Sequence, residues 1–252
     1  MLSLFVISCY KEPPVIPVDN TKPSGSIYYS AWGRTEDSAG FKINRSYFNG
    51  NAYFFSTPLM NGYQAEIVGD VMIGSITIPF DSIYYYQFLK QQIFDPINPI
   101  QFGRTLLFSI EGGDSYAPAT NVIYVPQIIY IRTPLDSLLY TNERIHSKKE
   151  GMSITWNTDL KNKQVLVSLF YDGVASSNNN PGLSNKSYTA RVISVHDNGT
   201  FTLDPDLFAD FEPQSVVNIQ VYREGKGWLI SNKHKVDITA STYSYKEYTI
   251  AE

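Results

Sequence analysis

The sequence predicts an all-β protein, organised as two tandem antiparallel β-sandwich domains. Three observations carry that expectation. Tyr (19) and Phe (14) are abundant while charged residues make up only 17%, and with Thr, Ile and Val also plentiful this is a strand-forming composition. Short alternating runs recur along the chain, separated by Gly-, Asn- and Pro-bearing turn signals, as a sandwich requires. A chain of 252 residues holds one large or two ordinary domains, and Pro126 divides the strand series in two.

Residues 25–126 form the first expected sandwich. Ser26 to Trp32 is a short apolar-aromatic run, with Trp32 expected in the core, and Phe41 to Asn44 alternates. Asn49-Gly50-Asn51 and Asn61-Gly62 read as tight turns, because both central residues of a type I′ turn need positive φ. Val71 to Ile73 and Ser75 to Pro79 follow as strands, with a bend at Gly74. Ile83 to Ile93 fits either period; three consecutive tyrosines are poor helix formers, so a strand is expected. Thr105 to Ile110 and Asn121 to Val125 are strands joined through a turn at Glu111 to Asp114.

Residues 127–252 form the second. Ile128 to Ile131 and Gly151 to Trp156 are its first strands, with Trp156 packed between sheets. Gln164 to Tyr171 alternates most regularly, and Ser176 to Asn185 reads as a loop. Tyr188 to Val195 and Gly199 to Leu203 are expected to pair as a hairpin across Asp197-Asn198-Gly199. Asp204-Pro205 supplies N-cap and first position of one helical turn reaching Phe208 and Phe211. Ser215 to Arg223 and Lys235 to Ala240 are the last strands, with a turn expected at Arg223 to Lys226.

Bulk properties exclude several classes. The formal net charge is −4, so no basic face for nucleic acid is expected. Cys9 is the single cysteine, which excludes disulfides within the chain and thiolate-bound zinc. No apolar run approaches the roughly 20 residues of a membrane helix.

The N-terminus gives an address. Leu4-Phe5-Val6-Ile7 runs into the small Ser8 and then Cys9, and Lys11 to Ser24 contains Pro13, Pro14, Pro17 and Pro23. This order resembles a bacterial lipobox, and the resemblance implies cleavage before Cys9 and a diacylglyceryl group on its thiol. Each buried methylene contributes roughly 0.8 kcal/mol, and two or more acyl chains hold firmly. The Pro-rich stretch favours extended backbone and reads as a spacer. A secretory signal carries a positive segment and an apolar core of roughly 7–15 residues; the stretch ahead of Cys9 is shorter, so a truncated or misassigned start is expected. Residues 1–8 are then a residual signal peptide and 9–24 a lipid-anchored tether. The strand at Ile128 to Ile131 followed by Thr133-Pro134 resembles the start of a fibronectin type III or immunoglobulin-like module. Together the features resemble exported two-domain lipoproteins of Bacteroidota, which implies the outer membrane or cell surface.

No catalytic constellation stands out. His146, His196 and His234 lack the spacing of metal pairs, and no nucleophile elbow, zinc-protease helix or phosphate loop is present. Asp204 is better used as a cap than as a calcium ligand. The chain is therefore expected to be non-catalytic, with no cofactor and no metal. Aromatic side chains are the remaining candidates for ligand contact: Tyr84, Tyr85, Tyr86 and Trp228 can stack on a sugar, since such rings suit ligands with apolar and polar faces. The expected role is a binding or scaffolding lipoprotein for a protein or glycan partner. The alternatives are a glycan-binding accessory of polysaccharide uptake, and an adhesin or pilus-like subunit joined by strand exchange.

Overall fold

The structure is a computed structural model that describes residues 25–38, 41–59, 62–81, 85–92, 101–133, 145–232 and 234–252. Cys9, the tether and Tyr84 lie outside the described residues. The fold is all-β. Its strands are β1 (Gly25–Ser38), β2 (Phe41–Leu59), β3 (Gly62–Ala65), β4 (Val71–Ile73), β5 (Ile76–Ile78), β6 (Phe80–Asp81), β7 (Tyr85–Gln92), β8 (Arg104–Ile110) and β9 (Ala119–Val125). They continue as β10 (Ile131–Thr133), β11 (Ile145–Ser147), β12 (Met152–Trp156), β13 (Gln164–Asp172), β14 (Tyr188–His196), β15 (Thr200–Leu203), β16 (Val216–Ser231) and β17 (His234–Ala251). Among the described residues, no helix is long and apolar enough to cross a membrane.

One ten-stranded sheet organises the molecule, in the order β14-β13-β16-β17-β1-β2-β7-β6, with β11 also on β17 and β3 on β2. A four-stranded sheet (β5-β4-β8-β9) and a three-stranded sheet (β10-β12-β15) are the smaller ones. The β16–β17 hairpin is its spine. It is in register from Val216↔Thr249 to Ser231↔His234, and β1 runs parallel to β17 from Gly25↔Val236 to Trp32↔Tyr243. Alternation fixes which side chains turn inward: Val217, Ile219, Val221 and Leu229 on β16, and Val236, Ile238, Ala240 and Tyr248 on β17, are buried.

Those inward side chains serve two cores. Ile27, Tyr29 and Phe54 join Ile73, Phe108 and Ile123 in the first, together with Leu229, Val236 and Ile238 from the C-terminal hairpin. Trp156, Val167 and Leu169 join Ile219, Phe208 and Phe211 in the second. β16 and β17 contribute to both cores, and the chain first crosses from one to the other between Ile128 and Ile129. That crossing is tight. A Cβ on Gly33 would stand 2.2 Å from the Ile129 carbonyl oxygen, and one on Gly225 would stand 2.3 Å from the Tyr124 carbonyl oxygen.

Several local expectations hold. Tyr85–Gln92 is a strand, Trp156 is buried between sheets, and Glu111 to Asp114 is a turn closed by the Gly113 amide on the Tyr116 carbonyl. Others are corrected. Asn49-Gly50-Asn51 does not turn: β2 runs through it, with Gly50 opposite Tyr29 on one side and Phe88 on the other. Two flanking ladders outweigh the turn preference of the dipeptide. Ser176 to Asn185 is partly helical, because α1 (Gly173–Asn179) is capped by the Asp172 carboxylate accepting from the Ala175 amide. The Ser176 hydroxyl then accepts from the Val216 amide at 2.7 Å and docks the helix on β16.

Asp197 to Gly199 does form a tight connection, with Gly199 at φ 86°, but the strands on either side do not pair. β14 pairs with β13 and β15 with β12, so the chain changes sheet there. Arg223 to Lys226 is mid-strand, paired with Thr242 to Thr239. Its glycines are required by the crossing of β9 and not by a turn. Ile128 to Tyr130 lie before β10, as part of the crossing segment. Trp32 is half-buried on the opposite face from Ala31, outside both cores.

Candidate functional site

The face of the ten-stranded sheet that looks away from both cores is the most unusual surface. Strand alternation sends Ser26, Tyr28, Ser30 and Trp32 of β1 to this face, opposite buried Ile27, Tyr29 and Ala31. Register then aligns these residues across the strands. Tyr222, Tyr243 and Trp32 occupy one row, Glu224, Ser241, Ser30 and Asn49 the next. Lys226, Thr239, Tyr28 and Asn51 form a third row, and Trp228, Asp237, Ser26 and Tyr53 a fourth.

The rings sit in three groups. Trp32 stacks on Tyr245 with centroids 5.4 Å apart. Tyr28 and Tyr53 meet at 5.6 Å. Trp228 is 54% exposed, with the Lys235 ammonium 5.7 Å from its ring centre. That cation–π contact orients the indole. Its backbone carbonyl accepts from the Asn121 carboxamide at 2.6 Å, so β9 holds the strand from below.

Four of the charged groups on this face pair with each other. Lys226 contacts Glu224 at 2.7 Å and Lys235 contacts Asp237 at 2.6 Å. Two of the phenols, Tyr222 and Tyr53, are pushed upward. Burial, with the adjacent Glu224 carboxylate, pushes Tyr222 up to about 12. Burial and the hydrogen bond with Tyr28 push Tyr53 up to about 12. The result is a surface of rings, hydroxyls and carboxamides on which these four ionic groups contribute no net charge.

Among the candidates whose side chains are described, sequence expectation meets this face at one point. Trp228 lies on it. Tyr86 does not: its ring is 2% exposed, its hydroxyl accepts from the Val68 amide at 2.9 Å, and it packs edge-on against Phe54. A ring committed to the core is removed from any ligand surface. Tyr85 is placed only by its backbone, opposite Asp81 at the start of β7. Tyr28, Trp32, Tyr53, Tyr222, Tyr243 and Tyr245 were not singled out by sequence. The signal for the last two is the alternation of Ser241, Tyr243 and Tyr245 with buried Thr242, Ser244 and Lys246.

A second polar cluster is structural. The side chains of Arg223 and Asp197 are both fully buried. The guanidinium donates to the two Asp197 oxygens at 2.6 and 2.9 Å, to the Gln127 carbonyl at 3.1 Å and to the Asn157 carbonyl. The Trp156 indole N–H donates to Asp197 at 2.9 Å. Nearby, Asp159 accepts from the Tyr124 hydroxyl at 2.6 Å and from the Gln127 amide at 2.8 Å. Burial and then Asp159 raise the Tyr124 phenol. These groups satisfy one another where the chain crosses between cores.

The remaining candidates are modest. His146 is buried, hydrogen-bonded to the Glu150 carbonyl at 3.1 Å and packed on Phe208; burial lowers its pKa. His196 is exposed at the end of β14, opposite Gln164. Among the described residues, no group of three or more His, Cys, Asp or Glu could hold a metal ion. A shallow groove of about 200 Å³ runs beside β14, between Tyr188, Leu207 and Phe211, and the Arg191–Asp210 ion pair lies along it.

No family model matches the chain, and no curated protein matches it. Among solved structures, the yeast delta-COP-I mu-homology domain complexed with a Dsl1 WxWxV peptide is similar over 93% of this chain and 100% of that one, at 11% identity and a TM-score of 0.28. A second structure of the yeast delta-COP-I mu-homology domain is similar over 93% of this chain and 99% of that one, at 12% identity and a TM-score of 0.28. Likeness at that level assigns neither fold nor function.

Proposed function

We propose that the protein is a non-catalytic lipoprotein of the bacterial cell envelope, anchored through Cys9, whose binding surface is the open face of the ten-stranded sheet. Its two halves act as immunoglobulin-like sandwiches fused through that sheet. The open face is the observation that carries the reading. A sheet face left to solvent is ordinarily covered by charged and small polar groups. Here Trp228, Tyr28 and Tyr245 are exposed within a single continuous surface, and aromatic side chains of this kind are enriched where one protein contacts another molecule. The apolar approach to Cys9 and the Pro-rich stretch after it support the address.

A fatty-acid analogue fed to a bacterial host expressing the full reading frame tests the anchor. The protein takes the label and partitions with membranes, and Cys9→Ala abolishes both. An unlabelled protein recovered in the soluble fraction would overturn the placement.

A further inference from the structure

We infer that the occupant of the open face is a neutral glycan chain, lying across the strands between Trp228, the Tyr28–Tyr53 pair and the Trp32–Tyr245 stack. The inference rests on the binding-module reading and names the ligand class for that same surface. Three features of the face select this chemistry.

The first is charge. Glu224 pairs with Lys226 and Asp237 with Lys235, so the ionic groups of these rows are spent on each other. A nucleic acid or an acidic polysaccharide would meet no surplus of cations here, and a strongly basic peptide no surplus of anions. A polyhydroxylated neutral ligand meets no desolvated charge.

The second is the mixture of groups. Sugars present apolar C–H faces and a rim of hydroxyls. Rings that are apolar in body and polar at the tip match the former. Ser30, Asn49, Thr239 and Ser241, interleaved between the rings by register, are partly exposed polar groups for the latter; the Ser30 hydroxyl donates to the Asn49 carboxamide oxygen, so the Asn49 carboxamide nitrogen is the donor left to a ligand. A hydrophobic protein partner would instead leave these hydroxyls and carboxamides buried without a guaranteed mate, at a cost of order 1–3 kcal/mol each.

The third is span. Trp228 and Tyr53 lie in one row, three strands apart, which is about 14 Å at about 4.8 Å per strand. Trp228 and Tyr222 are six residues apart on β16, about 20 Å at about 3.3 Å per residue. A platform of that extent suits a chain of several sugar units and exceeds a single one. Trp228, held by Lys235 on one side, is preorganised, which lowers the ordering cost of binding.

The test uses the full chain in affinity electrophoresis through gels containing mixed-linkage β-glucan, xyloglucan, glucomannan, arabinoxylan or soluble starch, with polygalacturonate and heparin as anionic comparators. At least one neutral polymer retards the protein and the anionic ones do not. Trp228→Ala and Tyr28→Ala each weaken retardation at least tenfold, whereas Val192→Ala, on the far edge of the sheet, leaves it unchanged. Circular dichroism verifies that each variant is folded. Retardation by none of the neutral polymers, or retardation indifferent to both ring substitutions, overturns the inference. If Trp228→Ala instead abolishes self-association in the ultracentrifuge, the face is an interface between copies; the glycan assignment falls while the binding-surface reading stands. If the face substitutions change neither, both fall.

Discussion

Replacing Arg223 by Met removes a cation buried at the crossing between cores. Arg223 is fully buried and makes four hydrogen bonds, two to Asp197 and one each to the Gln127 and Asn157 carbonyls. In Arg223→Met the Asp197 carboxylate keeps only the Trp156 indole at 2.9 Å and a long contact from Asn162 at 3.4 Å. Leaving one member of a buried ion pair uncompensated costs about 3–5 kcal/mol. The Gln127 carbonyl retains the Thr242 hydroxyl at 2.9 Å, so of the two carbonyls it is Asn157 that loses its guanidinium donor without a replacement, and the methionine's apolar burial offsets about that much. The expected loss is therefore about 3–5 kcal/mol, or about 6–20 °C in Tm for a chain of this size. Urea unfolding followed by tryptophan fluorescence, which sees Trp156, and by far-UV circular dichroism reads it out. Asp197→Asn in the Arg223→Met background keeps an acceptor for the indole and removes the stranded charge, so the double variant is less destabilised than the sum of the singles by about 2 kcal/mol or more. A loss under about 1 kcal/mol for Arg223→Met, or strictly additive effects, would refute the reasoning.

Two further outcomes follow from the same geometry. Gly33→Ala pushes a methyl to 2.2 Å from the Ile129 carbonyl oxygen; because the obstacle is backbone, the cost lies toward the upper end of about 1–3 kcal/mol. Gly182→Ala, whose nearest neighbour is the Asn180 side chain at 3.3 Å, is far milder in the same urea assay. Stability also falls at both pH extremes. Tyr222 is raised from 10.0 to about 12, so above about pH 10 the unfolded chain loses a proton that the folded one keeps; its contribution is whole below that point and lost as pH rises through 12. His146 is lowered below 6.5 by burial, so the unfolded chain binds a proton the folded one refuses, and that contribution is whole above pH 6.5 and lost as pH falls through the folded value. Denaturant midpoints measured across pH, with His146→Gln and Tyr222→Phe as controls, check both signs.

Strand positions were legible in the sequence, and strand partners were not. Gln164 to Tyr171 alternates cleanly and is a strand at nearly those bounds, and Trp156 lies between sheets because an isolated aromatic at the end of an alternating run has few other places to go. Alternation gives the face of each residue but says nothing about which strand lies beside it. That is why Tyr188 to Leu203 resembles a hairpin while β14 and β15 enter different sheets. The same limit explains Arg223 to Lys226. Charged residues and glycines in succession are turn chemistry, but here Gly225 and Gly227 are bare because Tyr124 and Ile123 of β9 lie against them. A requirement set by a strand a hundred residues away leaves no local trace.

The open face was hidden for a related reason. In Ile27-Tyr28-Tyr29-Ser30-Ala31-Trp32 both faces of the strand carry rings, so no reading of period two separates the core face from the solvent face. Only the parallel pairing of β1 with β17 decides it, by sending Ile27, Tyr29 and Ala31 to the core and aligning Tyr28 and Trp32 with Thr239 and Tyr243. Folding accounts for the inward set, which is buried by the smaller sheets. Cross-strand ring pairing contributes only roughly 0.2–1 kcal/mol per pair to the outward set, and Trp228, 54% exposed, gains less from burial than the inward rings do. Aromatic side chains at three separate places on one surface, with hydroxyls between them, are more than that contribution requires, and the proposed ligand, stacking on the rings, supplies a further cause.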